Sequence, residues 1–139
     1  MEERFFYCES CGNLFIAAIA SGVVPYCCDQ KMTLLRPNTT DGNQEKHLPV
    51  VDYIKDGVIN VRVGSDAHPM TPEHNIRFIC VETNKGIIIR YFKDGDKPEA
   101  RIHVCGVPKA VYAYCNIHGL WRSDIPPKES YKGNCSWYC

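Results

Sequence analysis

Residues 76–92 read IRFICVETNKGIIIRYF. Two runs rich in β-branched and aromatic residues, Ile76–Glu82 and Ile87–Phe92, flank Asn84-Lys85-Gly86, which has turn composition. Together they predict two strands joined by a tight connection. The same signal recurs outward along the chain. Val58–Val63 alternates apolar and polar residues as V-I-N-V-R-V, Asp94-Gly95 marks another turn, and Arg101–Cys105 and Ala110–Cys115 are further candidate strands. Short strands with frequent turns, and no convincing amphipathic helix from Glu45 to Ile125, predict a mainly β chain with an antiparallel sandwich or barrel.

This β region occupies residues 45–125 of a 139-residue chain. Before it, Met1–Arg36 carries Cys8, Cys11, Cys27 and Cys28 and few other signs of a core. A segment so short needs a staple to fold, and a metal supplies one. Residues 37–44, PNTTDGNQ, are polar and turn-forming and read as a linker. Residues 126–139 open with Pro126-Pro127 and read as a tail or an arm that packs on something else.

Sixteen basic residues balance sixteen acidic ones. With no long basic block, this argues against a nucleic-acid binder that works by neutralising phosphates. The longest apolar stretch, Leu14–Ala20, is far shorter than the roughly 20 residues that cross a bilayer, so no membrane partner is expected. The first residues include Glu2, Glu3 and Arg4 rather than a basic region followed by an apolar one. The expected address is the cytoplasm.

Nine cysteines and five histidines are the unusual counts. An odd number of cysteines cannot all pair within one chain, and a reducing compartment would not keep such pairs, so metal ligation is the better account. Cys8-x-x-Cys11 and the adjacent Cys27-Cys28 offer four thiolates, a soft tetrahedral set that suits Fe or Zn, and Gly12 lets the chain turn beneath the ion. The vicinal pair predicts a somewhat irregular site, and four-thiolate coordination leaves no open position.

A second set lies in the β region. His47, His68, His74 and His118 sit in loop-like contexts, and Cys115-x-x-His118 closes a candidate strand. Two prolines, Pro69 and Pro72, exclude regular structure between His68 and His74. Five donors fit zinc poorly. Four imidazoles in a plane with one thiolate behind would form a square pyramid with a vacant sixth position, suited to redox chemistry on a small oxygen species. Lys46 beside His47 adds positive charge that would draw a small anion, and Glu45 offers a carboxylate to the vacant position of an oxidised metal.

Taken in order, these motifs resemble the superoxide reductases in their two-iron form, desulfoferrodoxin. The resemblance runs to about Trp121 through Cys8-x-x-Cys11, Cys27-Cys28, Glu45-Lys46-His47-x-Pro49, Gly64-Ser65-x-x-His68-Pro69-Met70 with His74, and Cys115-Asn116-x-His118-Gly119-Leu120-Trp121. It implies a desulforedoxin-like module holding Fe through four cysteines, followed by an immunoglobulin-like seven-stranded sandwich with the catalytic iron. It implies His47, His68, His74 and His118 as equatorial ligands and Cys115 as the axial one. Lys46 would assist superoxide, and Glu45 would ligate the oxidised iron. The implied activity is one-electron reduction of superoxide to hydrogen peroxide, with a rubredoxin-type electron donor and a cytoplasmic homodimer.

Two rivals stand beside this reading: a non-catalytic iron electron carrier, and a binding module stapled by zinc. Metal analysis with a visible spectrum separates zinc from iron, and peroxide formed without O2 separates enzyme from carrier. The chain departs from the family after Trp121, where it continues to Cys139, and at the apolar stretch Asn13–Ala20, which bears on the dimer contact or the electron route. Cys80, Cys105, His103 and Tyr114 are expected to be structural. Cys135 and Cys139 are open to a disulfide, a redox pair, a further metal contact or an inert tail.

Overall fold

The computed structural model describes residues 3–134. The chain divides between Thr39 and Thr40 into two compact units. The first unit has little regular structure. Strands β1 (Phe5–Tyr7), β2 (Leu14–Ile16) and β5 (Thr33–Leu34) form a small antiparallel sheet in the order β2-β1-β5, and β3 (Tyr26–Cys27) pairs with β4 (Gln30–Lys31). Its apolar core is Phe6, Cys8 and Met32 with Ala17, Val24, Cys27 and Leu34 against them. So few side chains cannot offset the backbone entropy of an independent unit, which is why the module needs a metal.

The second unit is a seven-stranded β-sandwich entered through one helical turn, α1 (Gln44–His47). One sheet has the order β10 (Glu99–His103), β7 (Val58–Val63), β6 (Pro49–Lys55); the other runs β12 (Gly119–Asp124), β11 (Pro108–Cys115), β8 (Ile76–Thr83), β9 (Gly86–Tyr91). All pairings are antiparallel. Ile59, Val61 and Val63 of β7, Ala100 and Ile102 of β10, Ile79 and Val81 of β8, and Val111 and Ala113 of β11 share one buried cluster. Each set steps by two residues, so the pleat carries one face of every strand into the space between the sheets. The hairpin expected from residues 76–92 is β8–β9, with Thr83 opposite Gly86.

Several sequence expectations shift. Strands β6 and β12 were not expected, because Asp52, Lys55, Arg122 and Asp124 interrupt their apolar alternation. The boundary between units falls inside the segment read as a linker, and Thr40–Asn43 belong to the second unit. The first part of the tail returns to its own sandwich. Tyr131 is buried in the core with its hydroxyl directed at the Val104 carbonyl, and Asp56 accepts from the backbone N–H groups of Lys132 (2.8 Å) and Gly133 (2.9 Å). Cys80 is a fully buried thiol, as expected. Cys105 is instead disulfide-bonded. Cys135 and Cys139 lie outside the described residues. Tyr114 is half-buried and stacks on Phe78, and His103 is exposed on β10. Among the described residues, no helix is long and apolar enough to cross a membrane.

Candidate metal centres

The four cysteines of the first unit converge. Their sulfurs all lie within 4.8 Å of one another, with Cys11 and Cys27 at 3.7 Å and the vicinal Cys27 and Cys28 at 4.0 Å. Four sulfurs each about 2.3 Å from one ion stand about 3.8 Å apart, so the cluster has the size of a tetrahedral thiolate site. The vicinal edge is the wider of the two, the irregularity that neighbouring ligands predict. Cys28 and Asp29 both adopt positive φ (52° and 57°), which turns the chain sharply enough for adjacent sulfurs to face the same point. Backbone N–H groups, that of Cys11 foremost, hold the Cys8 thiol down at about 7. The Cys8 and Cys11 sulfurs push Cys27 up to about 12, and Cys11 raises Cys28. Cys27 and Cys28 thus keep protons that a bound cation would displace.

In the second unit the histidines close a ring. Successive ring centroids are 4.7 Å apart for His47–His68, 4.6 Å for His68–His74, 5.1 Å for His74–His118 and 4.8 Å for His118–His47. His47 and His74 lie across the ring at 6.3 Å, so the four imidazoles mark the corners of a distorted square. His47 Nε2 is 3.2 Å from His68 Nε2 and 3.1 Å from His118 Nδ1. The Cys115 sulfur stands 3.8 Å from that same His118 Nδ1 and accepts the backbone N–H of His118 at 3.3 Å. The donor atoms of His47, His74, Cys115 and His118 all lie within 4.8 Å of one another.

The surrounding hydrogen bonds aim the rings. His47 Nδ1 meets the Asn43 carbonyl at 2.7 Å, and His68 Nδ1 meets the Pro69 carbonyl at 2.7 Å. Each carbonyl takes the Nδ1 proton and leaves a bare Nε2 lone pair pointing inward, as outer-shell partners of metal-bound histidines do. Asn116 ties the two remaining loops, accepting from Asn75 N–H (2.9 Å) and donating to the Glu73 carbonyl (2.9 Å). His74 and Cys115–His118 are thereby held together.

Small and flat side chains line the His47 and His118 side of the square. Trp121 stacks on His47 at 4.7 Å, and its indole N–H donates to the His118 carbonyl at 3.1 Å. Gly42 makes this possible: a Cβ there would lie 2.8 Å from the Trp121 ring and 3.3 Å from His47. Thr40 Oγ1 also bonds the His118 carbonyl. Polar composition had marked residues 40–43 as a linker; the one available signal for their role was Asn43 as a helix-capping type ahead of the Glu45-Lys46-His47 turn.

The donor set fits a metal ion. His74 Nε2 is buried with no hydrogen-bond partner among the described residues. An orphaned buried nitrogen is costly unless something outside the chain satisfies it. Burial lowers the pKa of His47 and His74 and brings His68 down to about 4, so three of the rings are neutral ligands at neutral pH. Burial pushes the Cys115 thiol up, opposed by the backbone N–H groups of His118 and Ile117, and a bound cation would tip it to thiolate. Of the two other residues singled out, Glu45 is exposed in the α1 turn and Lys46 is half-buried, its ammonium 3.5 Å from Asp66 Oδ2.

The family model described as desulfoferrodoxin matches residues 39–124. A desulfoferrodoxin of Syntrophotalea carbinolica is 41% identical over 119 residues, covering 86% of this chain and 94% of that protein. One of Desulfarculus baarsii is 37% identical over 127 residues, covering 89% and 99%. Among solved structures, the superoxide reductase from Treponema pallidum superposes with a TM-score of 0.74 at 32% identity, over 89% of this chain and all of the other.

Proposed function

The chain belongs to the desulfoferrodoxin family, and on that premise we propose that it is a superoxide reductase with iron at both centres. The net reaction adds one electron and two protons to superoxide and releases hydrogen peroxide. The observation that carries the reading is the square of four imidazoles with a single thiol beside it, its buried His74 nitrogen without a hydrogen-bond partner among the described residues. Five donors of this kind suit iron better than zinc, which takes four in a tetrahedron.

His47, His68, His74, His118 and Cys115 would hold the catalytic ion. Bound Fe²⁺ supplies the electron, and a thiolate ligand makes it a stronger donor. The remaining work belongs to the chain. Neutral imidazoles leave the centre with net positive charge, and the Lys46 ammonium adds to it, drawing a small anion toward the open side. Solvent reaching that side delivers the protons, with Lys46 holding water for the transfer. Glu45, in the same turn, is the carboxylate assigned to the oxidised metal. Cys8, Cys11, Cys27 and Cys28 would hold the second iron with no place for substrate, so that module accepts and passes electrons or holds its own fold.

A rubredoxin-type donor, a homodimer and a cytoplasmic setting complete the proposal and rest on the likeness in sequence alone. Protein purified without oxygen tests the function. It should contain iron, show visible absorption on oxidation, and consume superoxide with peroxide formed and no O2 released. Zinc in place of iron at the histidine centre, or O2 among the products, would overturn it.

A further inference from the structure

The loop that carries His68 rests on the Glu45–Lys46 turn. Asp66 donates its backbone N–H to the Glu45 carbonyl at 2.9 Å, and Ser65 Oγ donates to the same oxygen at 3.3 Å. Gly64 allows this approach, since a Cβ there would stand 2.4 Å from the Glu45 carbonyl oxygen and 2.8 Å from the Lys46 carbonyl carbon. The backbone contact sets the Asp66 side chain beside Lys46, with Oδ2 3.5 Å from the ammonium nitrogen. The pairing therefore follows from how the loop is built.

We propose that Asp66 is a positioning residue that restrains Lys46, holding the ammonium against the loop and offsetting its charge, and so weakens the pull of the open face on superoxide. This rests on the superoxide reductase reading. A small anion approaching the site meets an ammonium with a carboxylate attached, and the pair attracts it less than a free cation would. Both partners are substantially exposed, so the pair adds little to stability and its removal leaves the fold intact.

The test uses the iron-loaded protein and four forms: wild type, Asp66→Asn, Lys46→Ala and the double variant. Asparagine keeps the backbone N–H bond to Glu45 and removes only the charge. The second-order rate of superoxide capture is measured across ionic strength, alongside azide binding to the oxidised protein followed by its visible spectrum. Asp66→Asn is expected to raise low-salt capture about 2–5-fold, tighten azide binding to a similar degree and steepen the salt dependence of both. In the Lys46→Ala background most of that gain should vanish. An unchanged or lowered rate and affinity, or a gain of the same size without Lys46, would overturn the proposal. A protein that binds azide in this pattern yet does not reduce superoxide would leave the restraint standing and remove the function.

Discussion

Asn43 grips His47 from the start of a single helical turn. Its side-chain oxygen accepts the backbone N–H of Glu45 at 2.8 Å, while its carbonyl accepts Nδ1 of His47 at 2.7 Å. The residue that begins the turn thus also sets the tautomer of the first ligand. Asn43→Ala removes the cap and keeps the carbonyl. It should cost about 0.5–2 kcal/mol of stability and loosen the histidine centre, read as a lower denaturation midpoint with weaker iron retention against a chelator. Unchanged retention would show that the carbonyl alone orients His47.

His74→Leu separates the needs of the fold from those of the metal. It replaces a buried nitrogen, without a hydrogen-bond partner among the described residues, with an apolar group. The metal-free variant should be more stable than metal-free wild type by about 1 kcal/mol, because an unsatisfied buried polar atom costs about that much or more. The same variant should lose iron from the histidine centre while the four-cysteine centre keeps its colour. Full iron content would show that His74 is not a ligand.

Cys115→Ser tests the thiol beside the square. The sulfur is fully buried and 3.8 Å from His118 Nδ1. Serine should abolish the thiolate-to-iron charge-transfer absorption of the oxidised protein together with superoxide reduction. Persistence of both would remove Cys115 from the ligand set.

Acid should weaken the metal-free protein. Burial holds His68 at about 4 against an ordinary 6.5 and depresses His47 and His74 in the same direction. Between those values the unfolded chain binds more protons than the folded one, so stability is fully present above about pH 6.5 and is lost as pH falls toward 4. Urea midpoints of chelated protein should drop steadily across that interval. A flat profile would mean the rings are not held neutral by burial.

Lys46→Ala should slow superoxide capture and flatten its ionic-strength dependence, since the positive charge proposed to draw the anion is gone. Stopped-flow or pulse-generated superoxide at several salt concentrations reads both quantities. Equal rates and slopes would remove Lys46 from the chemistry.

Much of this was legible in the chain before it was folded. Alternation of period two exposed β7, and β-branched runs around Asn84-Lys85-Gly86 exposed the β8–β9 hairpin, because a pleated strand must send every second side chain to one face. Strand β6 escaped because Asp52 and Lys55 interrupt its run on the solvent side. Tyr131 escaped because nothing local distinguishes an aromatic residue in a free tail from one returning to the core.

The ligand types belong to the primary structure: four thiols in one short module, and four imidazoles with one thiol in the strand region. Donor chemistry is a property of the residue, and it narrows the metal before any coordinates exist. Their arrangement does not. His47 and His118 are 71 positions apart in the chain yet their ring nitrogens lie 3.1 Å apart, and Asp66 reaches Lys46 because Gly64 lets one loop rest on another. Such distances arise when two sheets bury a common face, and no short window of residues carries that information.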